Sequence, residues 1–408
     1  MCCDRLMQHP SSNEGSTRMV QYRWDRYLIC IAPLALLAYL GLESYGIDYR
    51  AFFLAGKSLL MGLNPYINQL PISNDFYGPV NSELSLYSGW KYPPLAAALF
   101  SPLALLDYET SKNLFNAISL SAAIAALLVA IQRSANTLVP ESILITMISF
   151  PMLATIERGQ IDLLLVVIAT GSIHLFCRGR ALASGAVLAL LAAVKIVPLL
   201  LALGYLGRNP RGRRAFFGLG ATLVLIGALT VLLCNPDWLS DFWARARIPF
   251  DSLPPGPLVT MPPGIGLIKG TTTVFSSDAR PLLFTHDFTN GFANPLLSRT
   301  PLVALGIGLT GACFSLHRNR RLPLTTRLFS ILPWINVINP IAWIMGLAWY
   351  FPYFLDCYRR LSPAMRCLLC LPLILPPMLN VSGYLAAIAT LLIPSWCASF
   401  SSPDAHVR

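Results

Sequence analysis

The feature that most constrains this chain is a series of long apolar runs separated by short segments that contain charges. The first run, residues 27–42, has no charged side chain, and Asp48 follows it closely. A helix needs about 20 mostly apolar residues to cross a bilayer. The 408 residues are 55% hydrophobic and only 12% charged, whereas about a quarter of a soluble domain is charged. We therefore predict an integral membrane protein built from α-helices.

The positive net charge of the chain is explained by the orientation of its helices in a membrane. Its net charge of +11 comes largely from arginines and lysines in the segments between apolar runs. Cytoplasmic loops of membrane proteins carry an excess of these residues, so residues 208–214 and 318–327 are predicted to face the cytoplasm. This distribution argues against a nucleic-acid partner, and none is expected.

The same pattern divides the chain into one membrane domain and two tails. Residues 1–26 are predicted to be a cytoplasmic tail, residues 27–400 a single membrane-embedded domain, and residues 401–408 a C-terminal tail. At one crossing per about 20 apolar residues, we expect ~10–12 transmembrane helices. Residues 46–92 and 235–299 are predicted to be external loops, and a loop as long as the second is often functional.

Asp48 lies where the first apolar run is predicted to leave the membrane. Residues 51–63 after it are mostly apolar with few polar side chains, which predicts an amphipathic helix at the interface that ends at Asn64-Pro65. A carboxylate at this place can be hydrated and still reach a substrate carried by a lipid. It could act as a general base or could simply cap the next helix, a position that aspartate prefers.

Several short motifs occur in order along the chain. Residues 48–66 contain Asp, an aromatic-x-x-Ala and Gly-x-Asn-Pro-Tyr, and residues 91–95 read Lys-Tyr-Pro-Pro-Leu. Residues 159–164 read Gly-Gln-Ile-Asp-Leu-Leu, Lys195 stands in a long apolar run, and residues 339–343 read Asn-Pro-Ile-Ala-Trp. Together they resemble glycosyltransferase family 87, whose members are membrane mannosyl- and related transferases of the GT-C fold that use polyprenyl-phosphate sugars.

The chain departs from the family pattern at two positions. Asp162 stands in place of an asparagine, and Met345 stands where a histidine commonly follows the tryptophan. The resemblance implies an all-α polytopic membrane protein of GT-C-like fold with an amphipathic first external loop. It also implies that Asp48 occupies the position of the catalytic aspartate.

The reaction that the resemblance implies needs a base for the acceptor hydroxyl and cations for the donor phosphate. Asp48 is the predicted base. Asp75, Glu83 and Asp107 are alternative candidates, and the simpler interpretation of these three is that they are solvated charges. A charged residue in an apolar run is costly and usually functional, so Lys195 is predicted to bind the phosphate. The alternative is that its side chain extends to the membrane interface and has no role in binding. The weaker candidates for binding the phosphate are Arg50, Lys57, Arg280 and Arg299. The residues expected to line the substrate cavity are Tyr66, Tyr92, Gln160, Asp162, His286, Asn294 and Trp343.

No cluster of His, Cys, Asp and Glu has the spacing of a metal site, and no glycine-rich phosphate loop is found. We therefore expect neither a metal nor another cofactor, and no soluble nucleotide-sugar donor. The expected partners are a polyprenyl-phosphate sugar donor, a glycan or glycolipid acceptor, and the lipid bilayer.

The expected function is hexose transfer, for example of mannose, by a multi-pass protein of the cell membrane whose active site faces the extracytoplasmic side. Two other classes remain open. In a transporter or lipid-carrier flippase, Lys195 and the interrupted run at 151–160 line the substrate pathway. A polymerase or ligase of lipid-linked glycans uses similar carriers.

Overall fold

The chain folds into packed helices. The computed structural model describes residues 24–44, 46–67, 90–133, 139–206, 210–247, 301–338, 344–374 and 382–397. Within these ranges, 85% of the residues are helical and none lies in a strand. The prediction of an all-α polytopic membrane protein is confirmed.

The α-helices are short for a membrane protein, and 3₁₀ turns often separate them. In chain order they are α1 (Ile31–Glu43), α2 (Ile47–Leu60), α3 (Tyr108–Arg133), α4 (Pro140–Ile148), α5 (Phe150–Arg158), α6 (Asp162–Cys177), α7 (Ala181–Val194), α8 (Pro210–Leu233), α9 (Pro236–Arg247), α10 (Pro301–Arg318), α11 (Leu324–Phe329), α12 (Ile335–Ile338), α13 (Phe351–Cys357), α14 (Pro363–Ile374) and α15 (Ser382–Cys397). The 3₁₀ helices span Trp24–Cys30, Pro94–Leu99, Leu103–Leu105, Val197–Tyr205, Leu332–Trp334, Ile344–Tyr350 and Tyr358–Arg360.

Two single helices, α3 and α8, have the length and apolar character needed to cross a membrane. Helices α1 and α2 form a bent pair that is long enough to be one further span, and so do α5 and α6. Counting both pairs gives up to four membrane spans in the described part of the chain. Five other apolar helices are shorter, at 10–17 residues. The expected total of about 10–12 crossings stays a prediction.

The connection between α1 and α2 is held by one face of α3. Tyr108, Lys112 and Asn116 are spaced by four residues, so they share this face. Each donates a hydrogen bond to a backbone carbonyl in the last turn of α1 or in the connection. The Lys112 side chain is fully buried, and its Nζ lies 3.1 Å from the carbonyl oxygen of Leu42 and 2.5 Å from that of Ser44. Carbonyls at the end of a helix have no partner within the helix, so Lys112 satisfies these two and fixes where α2 begins.

α2 is more enclosed than a helix that lies on the membrane surface. It begins at Ile47, four residues before the predicted start, and the segment from Tyr49 to Ala55 is buried throughout. Phe52 lies at its centre, with ring centroids 4.7 Å from Phe100 and 5.1 Å from Tyr92. These aromatic contacts hold the helix inside the protein and bring Tyr92 to its side.

Candidate functional site

The predicted Gly-Gln motif forms a sharp break between α5 and α6, across which the helix axis turns by 114°. Gly159 ends α5 in the left-handed conformation, with φ 66° and ψ 44°, as glycine often does at this position. A Cβ atom on Gly159 would lie 2.6 Å from the Cβ of Tyr49 on α2. Glycine is therefore required both by the backbone angle and by the close approach of α2. The break brings Arg158 and Asp162, on either side of it, to one region.

Asp48 of α2 and Arg158 at the end of α5 form an ion pair beside the break. The Nε of Arg158 donates to Oδ2 of Asp48 at 2.5 Å, and its Nη2 donates to Oδ1 at 2.9 Å. The Arg158 side chain is 1% exposed and that of Asp48 is 12% exposed. Asp48 lies in the first turn of α2, where the helix dipole stabilises a negative charge. The predicted base is thus a carboxylate that an arginine holds by both oxygens and that remains partly accessible.

A second ion pair joins Asp162 to Lys195. The Nζ of Lys195 lies 2.7 Å from Oδ1 and 2.9 Å from Oδ2 of Asp162. The indole N–H of Trp349, which is buried, donates to Oδ1 at 2.9 Å. The expectation that Lys195 is an unpaired lysine within an apolar helix is wrong: α7 ends at Val194, and Lys195 has extended backbone angles, φ −141° and ψ 121°. Its side chain is 18% exposed, whereas that of Asp162 is only 3% exposed.

Tyr92 lies close to both carboxylates. Burial raises the pKa of its phenol well above the ordinary value, and the negative charges of Asp162 and Asp48 raise this pKa further. The phenol is therefore protonated at physiological pH and can donate a hydrogen bond to an oxygen of a substrate. The hydroxyl of Tyr66 donates to the backbone carbonyl of Tyr92 at 2.6 Å, which fixes the segment that carries Tyr92.

The Asn-Pro-Tyr motif connects this region to α9. The side-chain oxygen of Asn64 accepts a hydrogen bond from the backbone N–H of Tyr66 at 2.9 Å, and its amide nitrogen donates to Asp241 of α9 at 2.6 Å. The rings of Tyr66 and Phe242 lie 6.3 Å apart. The motif therefore has two structural roles, since it attaches α9 and positions Tyr66 to support Tyr92.

The remaining predicted residues divide into those that the structure describes and those that it does not. Arg50 is buried in α2, 2% exposed. Gln160 lies in the break, partly exposed, with its Oε1 3.3 Å from the backbone nitrogen of Ile161. Asp107 accepts a hydrogen bond from the backbone N–H of Thr110 at 3.0 Å, which is a helix-capping contact. The predicted residues that lie outside the described residues are Asp75, Glu83, Arg280, His286, Asn294, Arg299 and Trp343.

Sequence analysis missed two residues of this site. Arg158 directly precedes the Gly-Gln motif, and its position at the end of an apolar run was a signal that we used only to place the break. Trp349 carried no signal, because an indole in a hydrophobic segment is ordinary. The two ion pairs lie on the two sides of the break, and Arg158 and Lys195 are cations in them that can bind an anion. Within the described ranges, no three His, Cys, Asp or Glu residues are grouped so that they could hold a metal ion.

We expect Gly159→Ala to disturb this site. A side chain in the left-handed conformation and the contact with Tyr49 should together cost about 1–3 kcal/mol of stability, lower the melting temperature in detergent and reduce activity. Gly171→Ala in α6 is the control, because a Cβ at Gly171 meets no atom within 4 Å. Equal melting temperatures and activities of the two variants would contradict the requirement for glycine at the break.

Comparison with models of protein families gives a match. The model of glycosyltransferase family 87 matches residues 90–332, which is more than half of the chain. The matched segment includes Tyr92, both sides of the break between α5 and α6, and Lys195, whereas Asp48 and Trp349 lie outside it. A search of curated proteins finds no match.

Proposed function

Because the chain belongs to glycosyltransferase family 87 and is therefore a membrane glycosyltransferase, we propose that it transfers a hexose, such as mannose, from a polyprenyl-phosphate sugar to a hydroxyl of a glycan or glycolipid. The observation that carries this proposal is the presence of two ion pairs at the break, Asp48 with Arg158 on one side and Asp162 with Lys195 on the other. A sugar that leaves from a lipid phosphate needs a base for the acceptor and positive charge for the phosphate. This site supplies both.

The proposed reaction is a single displacement at the anomeric carbon. The acceptor hydroxyl gives its proton to the Asp48 carboxylate while its oxygen bonds to the anomeric carbon. The bond from that carbon to the phosphate oxygen breaks, and its electron pair stays on the phosphate, which leaves as the polyprenyl phosphate. Asp48 is 12% exposed, so an acceptor can reach it. A phosphate is already a good leaving group, so the cation has only to stabilise the charge that develops on it.

Lys195 is the proposed ligand of that charge. Its ammonium is more exposed than the carboxylate it pairs with, 18% against 3%, so a substrate phosphate can reach the lysine while Asp162 stays buried. The protonated phenol of Tyr92, whose pKa the charges of both carboxylates raise, adds a hydrogen-bond donor to the site. Arg50 is also a proposed phosphate ligand, supported by its charge inside α2.

The site is proposed to face the extracytoplasmic side of the cell membrane. The support is the arrangement of arginines, which places residues 208–214 and 318–327 in the cytoplasm. A cysteine introduced at Asn68, in a background without native cysteines, should then react with a membrane-impermeant thiol reagent in whole cells. Labelling only after the membrane is opened would place the site on the cytoplasmic side.

The direct test is an assay of transfer by the purified protein. We expect radiolabelled hexose to pass from a polyprenyl-phosphate hexose to lipid or glycan acceptors extracted from membranes, and no transfer from nucleotide hexoses. Mannose, glucose and galactose donors compared in parallel identify the sugar. Transfer from a nucleotide sugar alone would contradict the proposed donor class, and movement of intact donor across proteoliposome membranes without transfer would favour a flippase.

A further inference from the structure

We propose that Arg158 changes partner during the reaction: it holds Asp48 while the site is empty and turns to the carrier phosphate when the donor binds, which frees the base. This inference rests on the proposed function, since it needs an anionic carrier. It makes Arg158 a residue that positions the base as well as a ligand of the donor.

The geometry of the Asp48 ion pair favours such a step. Arg158 donates to both oxygens of Asp48, at 2.5 and 2.9 Å, and a bidentate contact of this kind is among the stronger hydrogen-bonding arrangements in proteins. An acceptor hydroxyl that gives its proton to Asp48 must compete with this contact. Moving the guanidinium away frees at least one oxygen of Asp48 for the proton of the acceptor.

A carrier phosphate is suited to draw the guanidinium away. It presents more oxygen atoms and more negative charge than a carboxylate, and arginine can bind a phosphate with the same bidentate geometry. Arg158 stands four positions from Asp162, on the other side of the break, and Asp162 binds Lys195. The exchange therefore places the phosphate between Lys195 and Arg158, at the break.

The site can tolerate the exchange because neither carboxylate is left without support. Asp162 keeps the indole N–H of Trp349 at 2.9 Å when Lys195 turns to the phosphate. Asp48 lies in the first turn of α2, where the helix dipole favours its charge, and it is partly exposed. Lys195 and Arg158 can therefore turn to the substrate while each carboxylate keeps one source of stabilisation.

The exchange predicts an unusual effect of a mutation on binding. Asp48→Asn removes the competing charge, so Arg158 becomes available without displacement, and farnesyl phosphate should bind about tenfold more tightly if roughly a tenth of the wild-type molecules have a free guanidinium. Arg158→Gln should bind it more weakly than wild type, and Asp48→Asn/Arg158→Gln should show no gain over Arg158→Gln. A merely structural role for the ion pair predicts weaker binding in all three.

The measurement is isothermal titration of the purified protein in detergent, with three probes. Farnesyl phosphate should show the gain, farnesol should not because it lacks the charge, and inorganic phosphate tests whether the headgroup alone is bound. Asp107→Asn, which changes a capping carboxylate at the start of α3, is the control. Asp48→Ser, which also removes the charge, repeats the test if Asp48→Asn does not fold.

The outcomes separate this inference from the proposed function. If wild type binds farnesyl phosphate and transfers sugar, but Asp48→Asn binds it no more tightly, only the partner exchange is wrong. A gain in Asp48→Asn that persists in the Arg158→Gln background also overturns it, because the gain then does not act through Arg158. If no variant, including wild type, binds farnesyl phosphate, the proposed donor class and the exchange fail together.

Discussion

Replacing Asp48 by asparagine is expected to lower the turnover number by at least about 100-fold, because a positioned general base contributes typically ~10²–10⁴-fold to a rate. Asparagine has nearly the same shape but cannot accept the proton of the acceptor. Initial rates at saturating donor and acceptor, measured in proteoliposomes, report the turnover number. Asp107→Asn is the matched control, since asparagine can also cap a helix, and its rate should equal that of wild type.

A loss of activity in Asp48→Asn must be separated from damage to the fold. The substitution leaves the charge of Arg158 buried with a neutral partner, and breaking a buried ion pair in this way can cost about 3–5 kcal/mol of stability. Asp48→Asn/Arg158→Gln removes both charges and should recover the melting temperature. If the recovered protein is still inactive at saturating donor, the loss of activity does not come from a damaged fold, whereas near-normal transfer by either variant would show that Asp48 is not the base.

Sequence alone predicts the polar residues of this site better than their partners. Asp48 and Lys195 stood out because ionisable side chains beside or within apolar runs are costly and usually functional. Their partners were not visible, because Arg158 is 110 residues from Asp48 and Trp349 is 187 residues from Asp162. Such contacts depend on how helices pack, and one sequence carries no pairwise information of this kind.

Local breaks in the helices were also hard to predict. The apolar run at 181–206 suggested one helix that contains Lys195, but α7 ends at Val194 and a 3₁₀ helix follows over Val197–Tyr205. Pro198 has no N–H to donate to the carbonyl of Val194, four residues before it, and its ring would clash with that carbonyl in a continued α-helix. The ion pair with Asp162 also stabilises the break, and a hydropathy profile detects neither effect. Lys112 is a charged residue whose role the sequence also hides. A lysine at the start of a membrane helix is expected to be solvated, but Lys112 donates hydrogen bonds to backbone carbonyls at the end of α1.

Lys195→Met is expected to weaken the binding of farnesyl phosphate by about 10- to 100-fold, because a hydrogen bond to a charged group contributes roughly 1.5–3 kcal/mol. It should also lower stability, because Asp162 is 3% exposed and would keep only the indole N–H of Trp349. The cost of leaving one charge of a buried pair is about 3–5 kcal/mol. Calorimetric binding and thermal unfolding in detergent measure the two effects on the same sample.

The two effects can be separated at Asp162, where the sequence departs from the family pattern. Asp162→Asn restores the family's residue and removes the charge that Lys195→Met leaves behind, so the double variant should recover the melting temperature. If Lys195 binds the phosphate, the double variant still binds farnesyl phosphate weakly, because the cation is missing. If binding returns together with stability, Lys195 acts only by neutralising Asp162, and the phosphate must be held by Arg158 or another cation.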